Sequence, residues 1–111
     1  MKEMMDDFNK AMLYFSKMNP EEFRKFNEFV SSVLRDGKLS LKTKELIAVG
    51  ISVNSRCSYC IALHTEKAFK AGATEEEIME AGTVAVLMGG GQSFTYMTEL
   101  KKAIDRYKER T

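Results

Sequence analysis

Apolar residues recur along this chain at intervals of three and four, the spacing of one helix face, and no segment alternates convincingly as a strand would. Met5, Phe8, Met12 and Phe15 mark one stripe and predict a first helix over roughly 2–17. Asn19-Pro20-Glu21-Glu22 restarts the chain with a cap, a proline at the first helical position and acids in the first turn. Phe23, Phe26, Phe29, Val30, Val33 and Leu34 continue that second helix, with a stop expected near Asp36-Gly37, because glycine takes the left-handed conformation readily. Ser40 is placed to cap a third helix reaching about Val53, and Asn54-Ser55-Arg56 reads as a short break. A fourth helix is expected to carry Cys57 and run to about Lys70, closed by Ala71-Gly72. Thr74 with Glu77 has the spacing of a capping box for a fifth helix to about Met88. After Gly89-Gly90-Gly91 a sixth helix covers about 92–108, with Phe94, Met97, Leu100, Ile104 and Tyr107 as its inner stripe. The pattern therefore predicts an all-α bundle of six helices. With no repeat or linker, 1–111 is read as a single domain.

Composition narrows the function. Seventeen basic and sixteen acidic residues leave a formal charge of +1, so the chain lacks the basic stripe that a nucleic-acid binder needs. The first residues, with Lys2, Glu3, Asp6 and Asp7, do not form a secretory signal. The longest uncharged stretch, Ala81 to Thr98, is broken by three glycines, which argues against a membrane span. These features point to a cytoplasmic protein. In that compartment a single pair of cysteines is more often catalytic or metal-binding than a structural staple.

That pair is Cys57 and Cys60, followed by His64, the only histidine of the chain. On one continuous helix the three would share a face. The two sulfurs could then form a disulfide, since Cα atoms three apart on a helix lie about 5 Å apart. A helix start near Cys57 would also favour a thiolate, through unpaired N–H groups and the positive end of the helix dipole. Glu45, on the preceding helix, would reach His64 if the two helices fold back on each other, giving the nucleophile, base and orienter of an activated thiol. Other readings of the same residues stay open: two small buried hydrophobes, a structural disulfide, or a zinc site using Cys57, Cys60, His64 and Glu45.

The spacing Glu45, eleven residues, Cys57, two residues, Cys60, three residues, His64 resembles the signature of the AhpD-like (alkylhydroperoxidase D-like) branch of the carboxymuconolactone decarboxylase superfamily. Leu41 to Gly50 resembles the family's approach to the glutamate, and Ala68 to Glu80 its exit. The resemblance covers Phe26 to Ile104 and implies an all-α fold that assembles as homotrimers or homohexamers. It also implies a redox-active disulfide between Cys57 and Cys60 with no other cofactor. By the family pattern Cys60 attacks a peroxide and passes through a sulfenic acid, Cys57 resolves it and donates a proton, and Glu45 and His64 relay protons. The implied partners are a hydroperoxide or disulfide substrate, a thiol or lipoyl-type electron donor, and a peroxiredoxin as electron acceptor. The family's best-known peroxidases carry a second histidine immediately before the second cysteine; Tyr59 stands there in this chain. The decarboxylase branch typically lacks the cysteine pair, so a lactone-decarboxylating lyase is the weaker reading.

The remaining features are read as structure. The triple glycine follows a helix and lacks the Gly-Lys-Ser or Gly-Lys-Thr of a phosphate loop. The charges from Lys101 to Arg110 suit a solvated helix end. The phenylalanine and methionine stripes of the first two helices exceed what one small core absorbs, which points to subunit contacts. A structural oligomer with a vestigial site is the corresponding non-enzymatic alternative.

Overall fold

A computed structural model describes residues 1–110 and shows six helices: α1 (Lys2–Met18), α2 (Pro20–Leu34), α3 (Leu41–Asn54), α4 (Ser58–Lys70), α5 (Glu75–Gly89) and α6 (Gly91–Arg110). No strand occurs among the described residues, and no helix there is long and apolar enough to cross a membrane.

Local chemistry accounts for most of the boundaries. The Ser40 hydroxyl accepts the Thr43 N–H at 3.1 Å and starts α3. Thr74 and Glu77 complete the expected capping box, each side chain accepting the other's backbone N–H. Gly72, at φ 97°, turns the chain out of α4 while the Ala73 N–H reaches the Ala68 carbonyl and the Gly72 N–H reaches that of Phe69. This is the bonding of a Schellman stop, with Ala68 and Ala73 both buried against it.

Two boundaries differ from the sequence expectation. Helix α2 ends at Leu34 rather than at a left-handed Gly37, because Arg35 is extended (φ −63°, ψ 155°). The Lys44 ammonium of α3 donates to the carbonyls of Val33 and Arg35, 2.7 Å to each, and so satisfies groups that a glycine stop would have served. The triple glycine is a one-residue joint: Gly89 ends α5, Gly91 begins α6, and only Gly90 lies between them, at φ 70°. Its placement turns Phe94 outward, 66% exposed, and Ser93 inward. The expected inner stripe of α6 therefore holds for Leu100 and Ile104 and fails for Phe94.

Val49 and Val53 of α3, Ile61 of α4, Ile78 of α5, and Leu100 and Ile104 of α6 are fully buried and form the core. The close approach of α3 to α5 depends on Gly50, where a Cβ would lie 3.2 Å from the Ala81 carbonyl oxygen. Helices α1 and α2 pair with each other outside this four-helix core, joined by an edge-to-face contact of Phe15 and Phe23. Helix α1 buries only Met5, and α2 buries no residue.

The Lys42 ammonium of α3 and the Glu77 carboxylate of α5 bridge these helices at 3.1 Å. The Thr74 backbone N–H, then Lys42, hold the Glu77 carboxyl below its ordinary value of 4.5. A depressed carboxyl stabilises the fold above its unfolded-state pKa, and that contribution is lost as pH falls through the folded-state value. Wild type is therefore expected to exceed Glu77→Gln in urea midpoint at neutral pH, and the gap should close below pH 4.5. An equal gap at both pH values would contradict this assignment.

Candidate active site

The site is built around the turn between α3 and α4. After Asn54, Ser55 stays helical and Arg56 adopts φ 56°, in the left-handed region that non-glycine residues seldom occupy. This reversal places Cys57 in an extended conformation (φ −108°, ψ 98°) as the N-cap of α4. The Cys57 N–H donates back to the Ser52 carbonyl at 3.2 Å, and the Cys57 sulfur accepts the Cys60 N–H at 3.3 Å. Cys57 therefore stands one residue before the helix, not on its face as the sequence spacing predicts. The left-handed Arg56 is the cause, and the sulfur fills the role that a serine or aspartate oxygen usually has at a cap.

Cys57 and Cys60 are joined in a disulfide, with their Cα atoms 5.3 Å apart. Both residues are partly exposed. His64 follows Cys60 by one helical turn on the same face of α4. Its Nδ1 lies 2.7 Å from Glu45 Oε1. The Glu45 side chain is 2% exposed and that of His64 23%, so the carboxylate is sealed while the imidazole reaches an opening. With the carboxylate as acceptor, Nδ1 carries the hydrogen, and in a neutral imidazole that leaves the lone pair on Nε2. The four expected residues thus form two pairs, a disulfide and an acid–imidazole bond, linked by the turn of helix from Cys60 to His64.

His64 also lines a groove of about 460 Å³ between α2 and α3, whose walls are otherwise apolar apart from Lys44. Phe29, Val33 and Leu34 form one side, and Ile47 and Ile51 the other. Tyr59 turns toward α1, where its ring meets Phe8 with centroids 5.8 Å apart. No three His, Cys, Asp or Glu side chains among the described residues converge as a metal site would require.

Some contributors to the site were not legible in the sequence. Lys44 fixes the end of α2 beside the groove. Ser93 donates to the Asn54 side-chain oxygen at 3.0 Å and ties the turn before Cys57 to the start of α6. Gly89 leaves room for that bond, since a Cβ there would overlap both groups. These partners are far apart in the chain, and no local sequence signal pairs them.

Residues 20–103 match the carboxymuconolactone decarboxylase family, and the chain belongs to it. A carboxymuconolactone decarboxylase family protein from Legionella pneumophila has a crystal structure 35% identical in sequence, with a TM-score of 0.91 over 96% of this chain and 95% of its own. A family member from Thermotoga maritima, described as having a possible involvement in antioxidative response, is 30% identical, with a TM-score of 0.75 over 93% of this chain and 86% of its own. An uncharacterised protein of the cox locus of Paracoccus denitrificans is 38% identical over 73 residues, 66% of each chain.

The bond between Glu45 and His64 generates a stability test. Glu45→Ala leaves a cavity and strips the imidazole of its partner, with an expected loss of about 2–4 kcal/mol in urea unfolding. Glu45→Gln, which preserves shape and a hydrogen-bonding oxygen, is expected to lose less than half of that. Equal losses in the two variants would show that neither the filled space nor a neutral hydrogen bond contributes, and would overturn this expectation.

Proposed function

We propose that the protein is a thiol-dependent hydroperoxide reductase, or a closely related disulfide oxidoreductase, working through the Cys57–Cys60 pair. The observation that carries this reading is the disulfide at the start of α4 with the Glu45–His64 pair one turn further along. In the reduced protein His64 Nε2 accepts the Cys60 thiol proton, oriented by Glu45 on the other ring nitrogen. The Cys60 thiolate attacks the distal peroxide oxygen, the O–O bond breaks, and the alkoxide takes the proton from His64 to leave as an alcohol. Cys60 is then a sulfenic acid. Cys57 attacks that sulfur and displaces hydroxide, which leaves as water once protonated, and the disulfide is formed. Two thiols of an external donor, monothiol or lipoyl-type dithiol, restore the reduced state and become a disulfide themselves. In the other direction of electron use, the reduced pair reduces a protein disulfide such as that of a peroxiredoxin.

The apolar groove beside His64 favours organic hydroperoxides over hydrogen peroxide, since a hydrocarbon substituent would shed water there. The description of the Thermotoga maritima relative supports the antioxidant direction. A lyase activity, which the family name evokes, would leave two bonded sulfurs without a role. A non-enzymatic zinc module fits less well, because Cys57 lies off the helix face that carries Cys60 and His64. The chemistry requires a reducing supply of thiols, consistent with a cytoplasmic setting.

Hydroperoxide consumption driven by a dithiol is expected in wild type and is expected to vanish in Cys60→Ser. Equal turnover in the two proteins would sink the peroxidase reading. A disulfide that cycles without peroxide turnover would instead favour the protein-disulfide reductase.

Assembly into a homotrimer or homohexamer belongs to the same proposal. Leu13, Tyr14 and Met18 of α1 and Phe26 and Phe29 of α2 are all more than half exposed. Ile51, Val84 and Met88 add a second apolar groove between α3 and α5. Soluble monomers seldom leave so much apolar surface in contact with water. Light scattering at micromolar concentration is expected to give three or six times the chain mass of 12.6 kDa. A monomeric mass that persists on concentration would rule the assembly out.

A further inference from the structure

We infer that the groove between α2 and α3 binds an amphipathic carboxylic acid: Lys44 holds the carboxylate, and the hydrocarbon lies along α3, past His64, toward the cysteine end of α4. Phe29, Val33 and Leu34 of α2 face Ile47 and Ile51 of α3 across about 460 Å³, and Lys44 and His64 are the members of that lining able to carry charge. Lys44 is half-buried. An ammonium has three N–H donors and accepts nothing. Two of them go to the carbonyls of Val33 and Arg35, 2.7 Å each, and among the described residues no carboxylate pairs with it. A cation set against apolar walls without a counter-charge favours an anion that brings its own hydrocarbon.

The acids nearest in sequence are engaged elsewhere. Glu45 turns to α4 and bonds His64 at 2.7 Å. Asp36 accepts the Leu41 N–H at 2.6 Å. Gly37 keeps space beside the ammonium, since a Cβ there would already lie 3.7 Å from Lys44 Nζ. Its φ is not positive, so the turn itself does not demand glycine. The missing side chain leaves room for a ligand oxygen to reach the third N–H.

Helix geometry sets the length of the ligand. Lys44, Ile47, Ala48 and Ile51 form one face of α3, with a rise of about 10 Å from first to last. The Cys57 N–H bonds the Ser52 carbonyl, so the disulfide lies level with the Ile51 end and opposite Lys44. An acid anchored at Lys44 therefore brings the part of its chain about eight carbons away to the cysteine end. The identity of the reacting group there rests on the proposed peroxidase activity: the preferred substrate is a hydroperoxide carried about that far from a carboxylate. The apolar walls accept any hydrocarbon of that length, and Lys44 selects the acids among them.

His64 is the only histidine of the chain, so its imidazole proton signals report on this groove. Octanoate and, separately, methyl octanoate are titrated into oxidised protein and followed through those signals by NMR. Wild type is expected to bind octanoate about tenfold more tightly than the ester, the weight of one charge-assisted hydrogen bond. Lys44→Gln keeps N–H groups for the two α2 carbonyls and loses the charge. The preference for the acid is expected to disappear in that variant and to survive in Lys44→Arg. The ratio of acid to ester affinity within one protein is insensitive to how stably each variant folds, and the wild-type ratio decides by itself if neither variant folds. Equal affinities in wild type, or a preference unchanged in Lys44→Gln, would overturn the site. Octanoate that leaves the His64 signals unmoved, as when a second copy of the chain fills the groove, would overturn it too. Binding to the oxidised protein needs no turnover. Absence of peroxide consumption with the acid preference intact would therefore remove the peroxidase reading and leave the carboxylate site standing.

Discussion

A carboxylate taken almost wholly out of water must be paired, and among the described residues Glu45 is the one acid in that position. Its partner is His64, on the next helix, so α3 and α4 must lie against each other in the register that brings positions 45 and 64 together. An apolar core alone would tolerate some sliding of one helix on another. A 2.7 Å bond from a buried carboxylate does not. The same register sets the length of the turn from Asn54 to Cys57 and thereby the point at which α4 begins. Glu45 thus organises the candidate site through His64.

The helical pattern of the sequence was sufficient where structure is local. The Ser40 cap, the Thr74–Glu77 box, the stop at Gly72 and the six-helix order all follow from residues within a few positions of one another. What the pattern misplaced depends on distant partners. Gly37 was the natural stop for α2, but Lys44 reached the free carbonyls first. Phe94 suited the apolar spacing of α6, but the single-residue joint at Gly90 set the phase of the helix and turned Ser93 inward to Asn54.

The candidate site shows the same division. The pairing of Glu45 with His64 was legible because a hairpin of two helices brings those positions together by simple geometry. The position of Cys57 was not, because a left-handed Arg56 has no reliable signature in one sequence. Cys57 and Cys60 are three residues apart under either description, and the disulfide is compatible with both. The chemical difference is large all the same. On the helix the two sulfurs would be near equivalents, whereas at the cap one of them receives a backbone N–H and the other provides it.

In the proposed redox cycle, that asymmetry bears on how the start of α4 is held. A disulfide whose loss allowed its helix to fray would oblige the protein to refold locally at each turnover. Here the cap interaction and the disulfide use the same sulfur. The bond from Ser93, the Ser52 carbonyl and the Glu45–His64 pair tie the surroundings to α3 and α6. The outer helices α1 and α2 contribute little to this core, and their apolar faces leave them available to shape the groove beside His64 and to meet other subunits.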